Sequence, residues 1–221
     1  ESSAGTVTLT DYISNQLFEK NMLRETSHVT IAHPALSFPD LEIPPPSCSD
    51  YSEYRPLRIL LAGRIKAYKG LELFVEALLR LPSNKVEARI VGQSASSPYL
   101  DTARNLPNCS LFLEWQSETD LISHLDWSDL VVLPYVEASQ SGIVPLAFSR
   151  CRPVVVTPVG GLPEQVQQNR SGIITEGVSA EHVGAAILRF LEDQAFYHDC
   201  AKTAKLVAEK EIGWEYIAPQ Y

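Results

Sequence analysis

No apolar run in the 221 residues approaches the roughly 20 needed to cross a bilayer, and no basic stretch followed by an apolar one marks a signal peptide. A soluble, cytoplasmic protein is expected. The four cysteines, Cys48, Cys109, Cys151 and Cys200, stand apart, with no C-x-x-C pair and no histidine at metal-ligand spacing. They read as free thiols in a reducing compartment. Basic residues are the minority, 18 against 27 acidic ones, and the net charge of -9 argues against nucleic acid and anionic membranes as partners. Any anionic ligand must be gripped locally. Also missing are a G-x-x-x-x-G-K-[ST] loop, a G-x-G-x-x-G turn, a G-x-S-x-G elbow and a credible Cys–His pair. No two aspartates stand at i and i+2 to clamp a metal. The chain opens on Glu1 rather than Met, so a piece of a longer polypeptide is expected.

What is present is a core-forming chain, 45% hydrophobic, near the upper size of one domain. Between Arg58 and Thr175, short apolar runs alternate with helical periods, the pattern of consecutive βαβ units. Strands are predicted at 58–62, 88–91, 110–113, 130–133, 154–157 and 172–175. Leu130-Val131-Val132-Leu133 and Val154-Val155-Val156 lack polar alternation, as expected where helices cover both faces of a parallel sheet. The fold class is α/β, a Rossmann-like doubly wound parallel sheet.

Leu71, Phe74, Val75, Leu78 and Leu79 form one apolar stripe on a helix ending before Pro82. Ser117 with Asp120 forms a capping box for a short helix through Leu125. Ser179 caps a helix burying Val183, Ile187, Phe190 and Leu191, and a further helix turns Phe196, Cys200, Ala204 and Val207 inward. Pro44-Pro45-Pro46 reads as a linker. Before it lie a strand at 6–9, a helix from Asp11 to about Leu23 and a strand at 29–31. Three parts follow: residues 1–50, the end of a preceding domain plus linker; 51–210, the Rossmann-like body; 211–221, a C-terminal cross-over helix.

The first body strand runs into Gly63-Arg64-Ile65-Lys66-Ala67-Tyr68-Lys69-Gly70 at the carboxyl end of the sheet, where open α/β sheets bind ligands. Arg64 and Lys69 stand across this loop, so both charged heads can meet one anion near the helix start. Taken alone, the two also fit a pair of solvated surface cations.

Gly63-Arg64 with Lys69-Gly70 resembles the G-R-x4-K-G element of family 4 glycosyltransferases, retaining enzymes with the two-domain GT-B fold. Three further stretches agree in order: Arg89-Ile90-Val91-Gly92, then Pro153 to Thr157 with Val159-Gly160-Gly161-Leu162-Pro163-Glu164, then the terminal Gly213-Trp214-Glu215-Tyr216-Ile217-Ala218. In the second, Pro163 suits a first helical turn and Glu164 favours a helix N-terminus. The third is similar to the tryptophan-containing helix that crosses back over the family's cleft.

The resemblance implies that Arg64 and Lys69 hold the diphosphate of a nucleotide sugar, with no obligatory metal and no cofactor beyond the donor. The family's E-x7-E motif is altered here. Anchoring on Gly142 puts Ser139 and Ala147 at the two Glu positions; anchoring on Glu137 puts Pro145 at the second. Neither register restores both carboxylates, and the ribose contact loses its family residue. Ser139 and Glu137 nevertheless join Arg64 and Lys69 as candidate catalytic residues. Gln140, Ser141, Gly142 and Ile143 bring polar side chains and free N–H groups at a helix start to the phosphates. Trp115-Gln116 matches the position whose backbone reads the base, and Trp115 serves either as an apolar wall or as core. His33 before Pro34 reads either as a cleft residue or as ordinary linker, and His124 as partly buried and structural.

The expected activity is transfer of a hexosyl group, UDP-linked by preference, with retention, to a glycan or lipid-linked acceptor as in polysaccharide biosynthesis. The acceptor, and any peripheral membrane contact, belongs to an N-terminal domain of which this chain carries only the end. A non-catalytic sugar-nucleotide-binding domain and a GT-B-like epimerase or phosphorylase are the alternatives.

Overall fold

The computed structural model describes residues 5–23, 28–35, 55–94, 96–168 and 170–220. The proline run and Cys48 lie outside the described residues. At the N-terminal end, β1 (Thr6–Thr8) and β2 (His28–Thr30) pair in parallel around α1 (Asp11–Glu19). This helix is shorter than expected: Lys20 caps it and Asn21 takes a left-handed φ of 55°.

The body alternates strands and helices: β3 (Leu57–Ala62), α2 (Leu71–Arg80), β4 (Val86–Val91), α3 (Pro98–Arg104), β5 (Cys109–Phe112), α4 (Glu118–Trp127), β6 (Leu130–Leu133), α5 (Ile143–Ser149), β7 (Val154–Val156), β8 (Gly172–Ile174), α6 (Ala180–Glu192) and α7 (Gln194–Lys210). A short α8 (Trp214–Ile217) follows. The sheet order is β5-β4-β3-β6-β7-β8, all parallel. The order reverses between β3 and β6, and in such sheets the ligand crevice lies beyond the carboxyl ends of those two strands.

Two cores sandwich the sheet, which is why its strands carry no polar alternation. Ile59, Leu61, Leu130, Val132 and Val155 face one core with Phe74, Val183 and Phe190. Leu60, Ala62, Val131, Leu133, Val154 and Val156 face the other with Val144, Phe148 and Val207. Leu79 does not join the α2 stripe: it is 57% exposed. At about 100° of rotation per residue it sits at the edge of the stripe that Leu71, Phe74, Val75 and Leu78 bury. The Ser117–Asp120 capping box is formed, and Ser179 caps α6. Beneath the switch point, the buried Asp129 carboxylate takes both guanidinium arms of Arg55 at 2.6 and 2.7 Å and the Arg58 amide at 2.9 Å, tying β3 to β6.

Candidate functional site

Immediately after β3, Gly63 adopts a φ of 106°, and Gly92 after β4 packs so closely that a Cβ there would lie 2.3 Å from the Gly63 carbonyl oxygen. The following loop is pinned on both sides, Ile65 N–H to the Gln93 carbonyl at 2.9 Å and Val136 N–H to the Tyr68 carbonyl at 2.8 Å. One 3₁₀ turn, Ala67–Lys69, then delivers Gly70 in the left-handed region at φ 66°. A Cβ on Gly70 would meet the Pro134 carbonyl oxygen at 1.7 Å, so glycine is required where the loop after β3 crosses the end of β6.

This folding places Lys69 in the crevice. Its ammonium lies 3.9 Å from the Tyr135 ring centroid and 5.5 Å from that of Tyr68, and donates a hydrogen bond to the Tyr135 hydroxyl. It sits 3.8 Å from where a Gly63 Cβ would be, and Ile143 flanks the same point at 3.9 Å. Burial pulls its pKa down to about 8. Among the described residues no carboxylate pairs with it. Arg64, in contrast, is exposed at the rim.

The expected helix start is present, with a correction. The Ser141 N–H is taken by the Gln165 side-chain oxygen at 2.8 Å, and the Gln165 amide returns a bond to the Ser141 carbonyl at 3.1 Å. Ile143 N–H bonds to the Ser141 hydroxyl at 3.3 Å, and Val144 N–H to the Ser141 carbonyl. Of the N–H groups expected to be free, those of Gln140 and Gly142 have no partner among the described residues. Ser139 and Glu137 are exposed. The Ser139 carbonyl accepts the Thr10 hydroxyl at 3.3 Å. Ala147 is fully buried, so the second Glu position of that register is a core position here. Gln140 keeps a buried side-chain oxygen without a partner.

Trp115 and Gln116 meet Gly63, Arg64, Gly92 and Gln93 around a cavity of about 210 Å³. Trp115 is 75% exposed, which removes the core reading for it. His124 is buried beside Phe112, 3.1 Å from an Arg89 nitrogen, and burial lowers its pKa, as fits a structural residue. Burial pushes the Cys109 and Cys200 thiols up to about 12, leaving little thiolate for nucleophilic chemistry.

Glu164 is a second correction. Pro163–Gln165 forms one 3₁₀ turn rather than the start of a helix, and the carboxylate reaches instead to α1, accepting Asp11 N–H at 2.6 Å and Tyr12 N–H at 2.8 Å. The turn and α1 enclose a cavity of about 440 Å³ that His33 also lines. His33 Nε2 lies 3.5 Å from where a Gly142 Cβ would be, on the side of this second cavity. Tyr135, Gln165 and Thr10 are site residues that sequence reasoning missed. Tyr135 had a signal, its place directly after β6; Gln165 had none, since its contact with Ser141 spans 24 residues.

An open parallel sheet whose order reverses at a crevice holding a half-buried lysine defines a Rossmann-like domain. Residues 52–207 match the family Glycosyl transferases group 1, and the chain belongs to that family. It is 27% identical over 170 residues to the amylovoran biosynthesis glycosyltransferase AmsK of Erwinia amylovora, covering 72% of this chain and 42% of that protein. It is 30% identical over 177 residues to the D-inositol 3-phosphate glycosyltransferase of Paenarthrobacter aurescens, covering 72% and 41%. The chain thus spans about two fifths of the curated relatives it matches. The crystal structure of Anabaena Alr3699/HepE in complex with UDP superposes with a TM-score of 0.78 at 18% identity, covering 99% of this chain and 62% of that one. The fold is that of GT-B glycosyltransferases.

Proposed function

We propose that the chain is the donor-binding half of a family 4, retaining glycosyltransferase that moves a hexosyl group from a nucleotide sugar, UDP-linked by preference, to a glycan or lipid-linked acceptor. The observation that carries this reading is Lys69. A cation half-buried at the switch point without a carboxylate gains from an incoming anion, because the lowered dielectric that penalises it alone strengthens its attraction to a partner. The diphosphate lies against Lys69 and the Gly142 N–H, with Arg64 closing from the rim. The nucleoside extends into the Trp115–Gln116 cavity, where the exposed indole covers the base. During transfer, negative charge grows on the departing diphosphate, and fixed cations and N–H groups stabilise it there. Arg64 and Lys69 thereby take the place a metal holds in other transferases.

A second reading, a nucleotide-sugar-binding domain without turnover, is supported by Ser139 and the buried Ala147, which in the register anchored on Gly142 leave both E-x7-E positions without carboxylates. The two readings share the donor site. Adding UDP to the isotopically labelled chain is expected to shift the Gly63 and Gly142 amides and the Trp115 indole. Shifts confined to Thr10, His33 and Glu164 would place the ligand in the other cavity and overturn the assignment.

A further inference from the structure

The partner that the Lys69 ammonium does have is unusual for a surface-loop lysine. Tyr135 is 1% exposed, and its ring lies under the ammonium while its hydroxyl accepts the ammonium's hydrogen bond. That hydroxyl is also 3.2 Å from the Ser141 hydroxyl, and Ser141 is held through its backbone on both sides by the Gln165 carboxamide. At the other end, the Tyr135 carbonyl accepts the Thr157 hydroxyl, and Tyr68 packs edge-on against the ring at 6.1 Å. The tyrosine is therefore fixed before any ligand arrives. The groups facing Lys69 are the two tyrosines, with Gly63 and Ile143 adding no charge.

We propose that Tyr135 is a positioning residue: its hydroxyl and ring hold the Lys69 ammonium in the crevice, aimed at the site of the anion, and Ser141 with Gln165 locks the tyrosine in that pose. This rests on the reading of Lys69 as the diphosphate-binding cation. A long lysine side chain otherwise spreads over many rotamers and takes its charge into water, and ordering it on binding would cost affinity. Here the ordering is built into the free protein. When the diphosphate arrives, the ammonium keeps the ring contact and its hydrogen bond to the Tyr135 hydroxyl and turns its remaining N–H groups to phosphate.

Tyr135→Phe tests this, because it keeps the ring and removes only the hydroxyl. In the free chain, the Lys69 side-chain carbon resonance followed through a pH titration reads the ammonium directly. The unaltered chain is expected to titrate near pH 8, and the variant at lower pH, since the charged form has lost its acceptor. Calorimetry is expected to show a loss of about tenfold in UDP affinity, the scale of a hydrogen bond to a charged group. Uridine affinity should not change, and Tyr135→Phe should cost nothing further when Lys69 is already alanine. An unchanged Lys69 midpoint, or a UDP loss that persists in the Lys69→Ala background, overturns the proposal. Failure of the unaltered chain to bind UDP would sink the donor reading itself, and the Lys69 midpoint would still decide the role of Tyr135.

Discussion

Burial penalises the charged form of Lys69 and lowers its pKa to about 8. A diphosphate beside it favours the charged form and raises the pKa again. The bound value then exceeds the free one, so donor affinity is full below about pH 8 and falls as pH rises through that value, by up to tenfold per pH unit. Titrating UDP across this range checks the sign, and a flat profile from about pH 7 to about pH 10 contradicts it. Lys69→Ala is expected to remove the slope and to weaken UDP by about 1.5 to 3 kcal/mol, the range for a charge-assisted hydrogen bond, while uridine is almost unaffected. Equal losses for UDP and uridine would show that Lys69 meets the base rather than phosphate.

At the scale of elements, the loop from Val136 to Gly142 has little regular structure and takes its shape from what lies behind it. A Cβ on Gly160 would stand 1.5 Å from the Ala138 carbonyl oxygen, and one on Gly161 would stand 2.3 Å from that of Ser139. Gly160→Ala, also strained by its φ of 54°, must therefore displace the loop. The expected outcome is a loss of about 2 kcal/mol or more in stability with weakened UDP binding. Asp193→Ala makes the contrast: it removes the side chain that accepts Phe196 N–H at the start of α7, lines neither cavity, and should cost about 1 kcal/mol in thermal unfolding with UDP affinity unchanged. These elements also divide what the sequence made legible from what it hid. Every body strand was readable because apolar runs of β-branched residues and leucine are local, and the Ser117 and Ser179 caps were readable for the same reason. The end of α1 was not, because Asn21 turns the chain without a proline or glycine to mark it. Leu79 fits the helical period of the stripe but lies at its edge, and exposure depends on the neighbouring helix. In the candidate site, Arg64 and Lys69 were singled out by their place in the loop after the first body strand and Trp115 by the family resemblance, whereas the bonds of Gln165 to Ser141 and of Glu164 to α1 cross 24 and 153 residues, and only the folded chain brings them together.

For the whole molecule, the groups proposed to hold the donor all come from one sheet's carboxyl edge, so donor binding should survive in these 221 residues. Efficient transfer needs more, because the acceptor hydroxyl must be held within about 3 to 3.5 Å of the reacting carbon. The acceptor site is proposed to lie outside these 221 residues, which cover 42% and 41% of two relatives. Slow hydrolysis of the donor by water is the expected residual activity. The measurement that bears most directly on the central claim is calorimetric titration of the chain with UDP, GDP and ADP in the presence of a chelator. The account predicts that one of these diphosphates, UDP by preference, binds one-to-one without metal and far more tightly than its nucleoside. No binding of any of the three, or binding that requires magnesium, would contradict it.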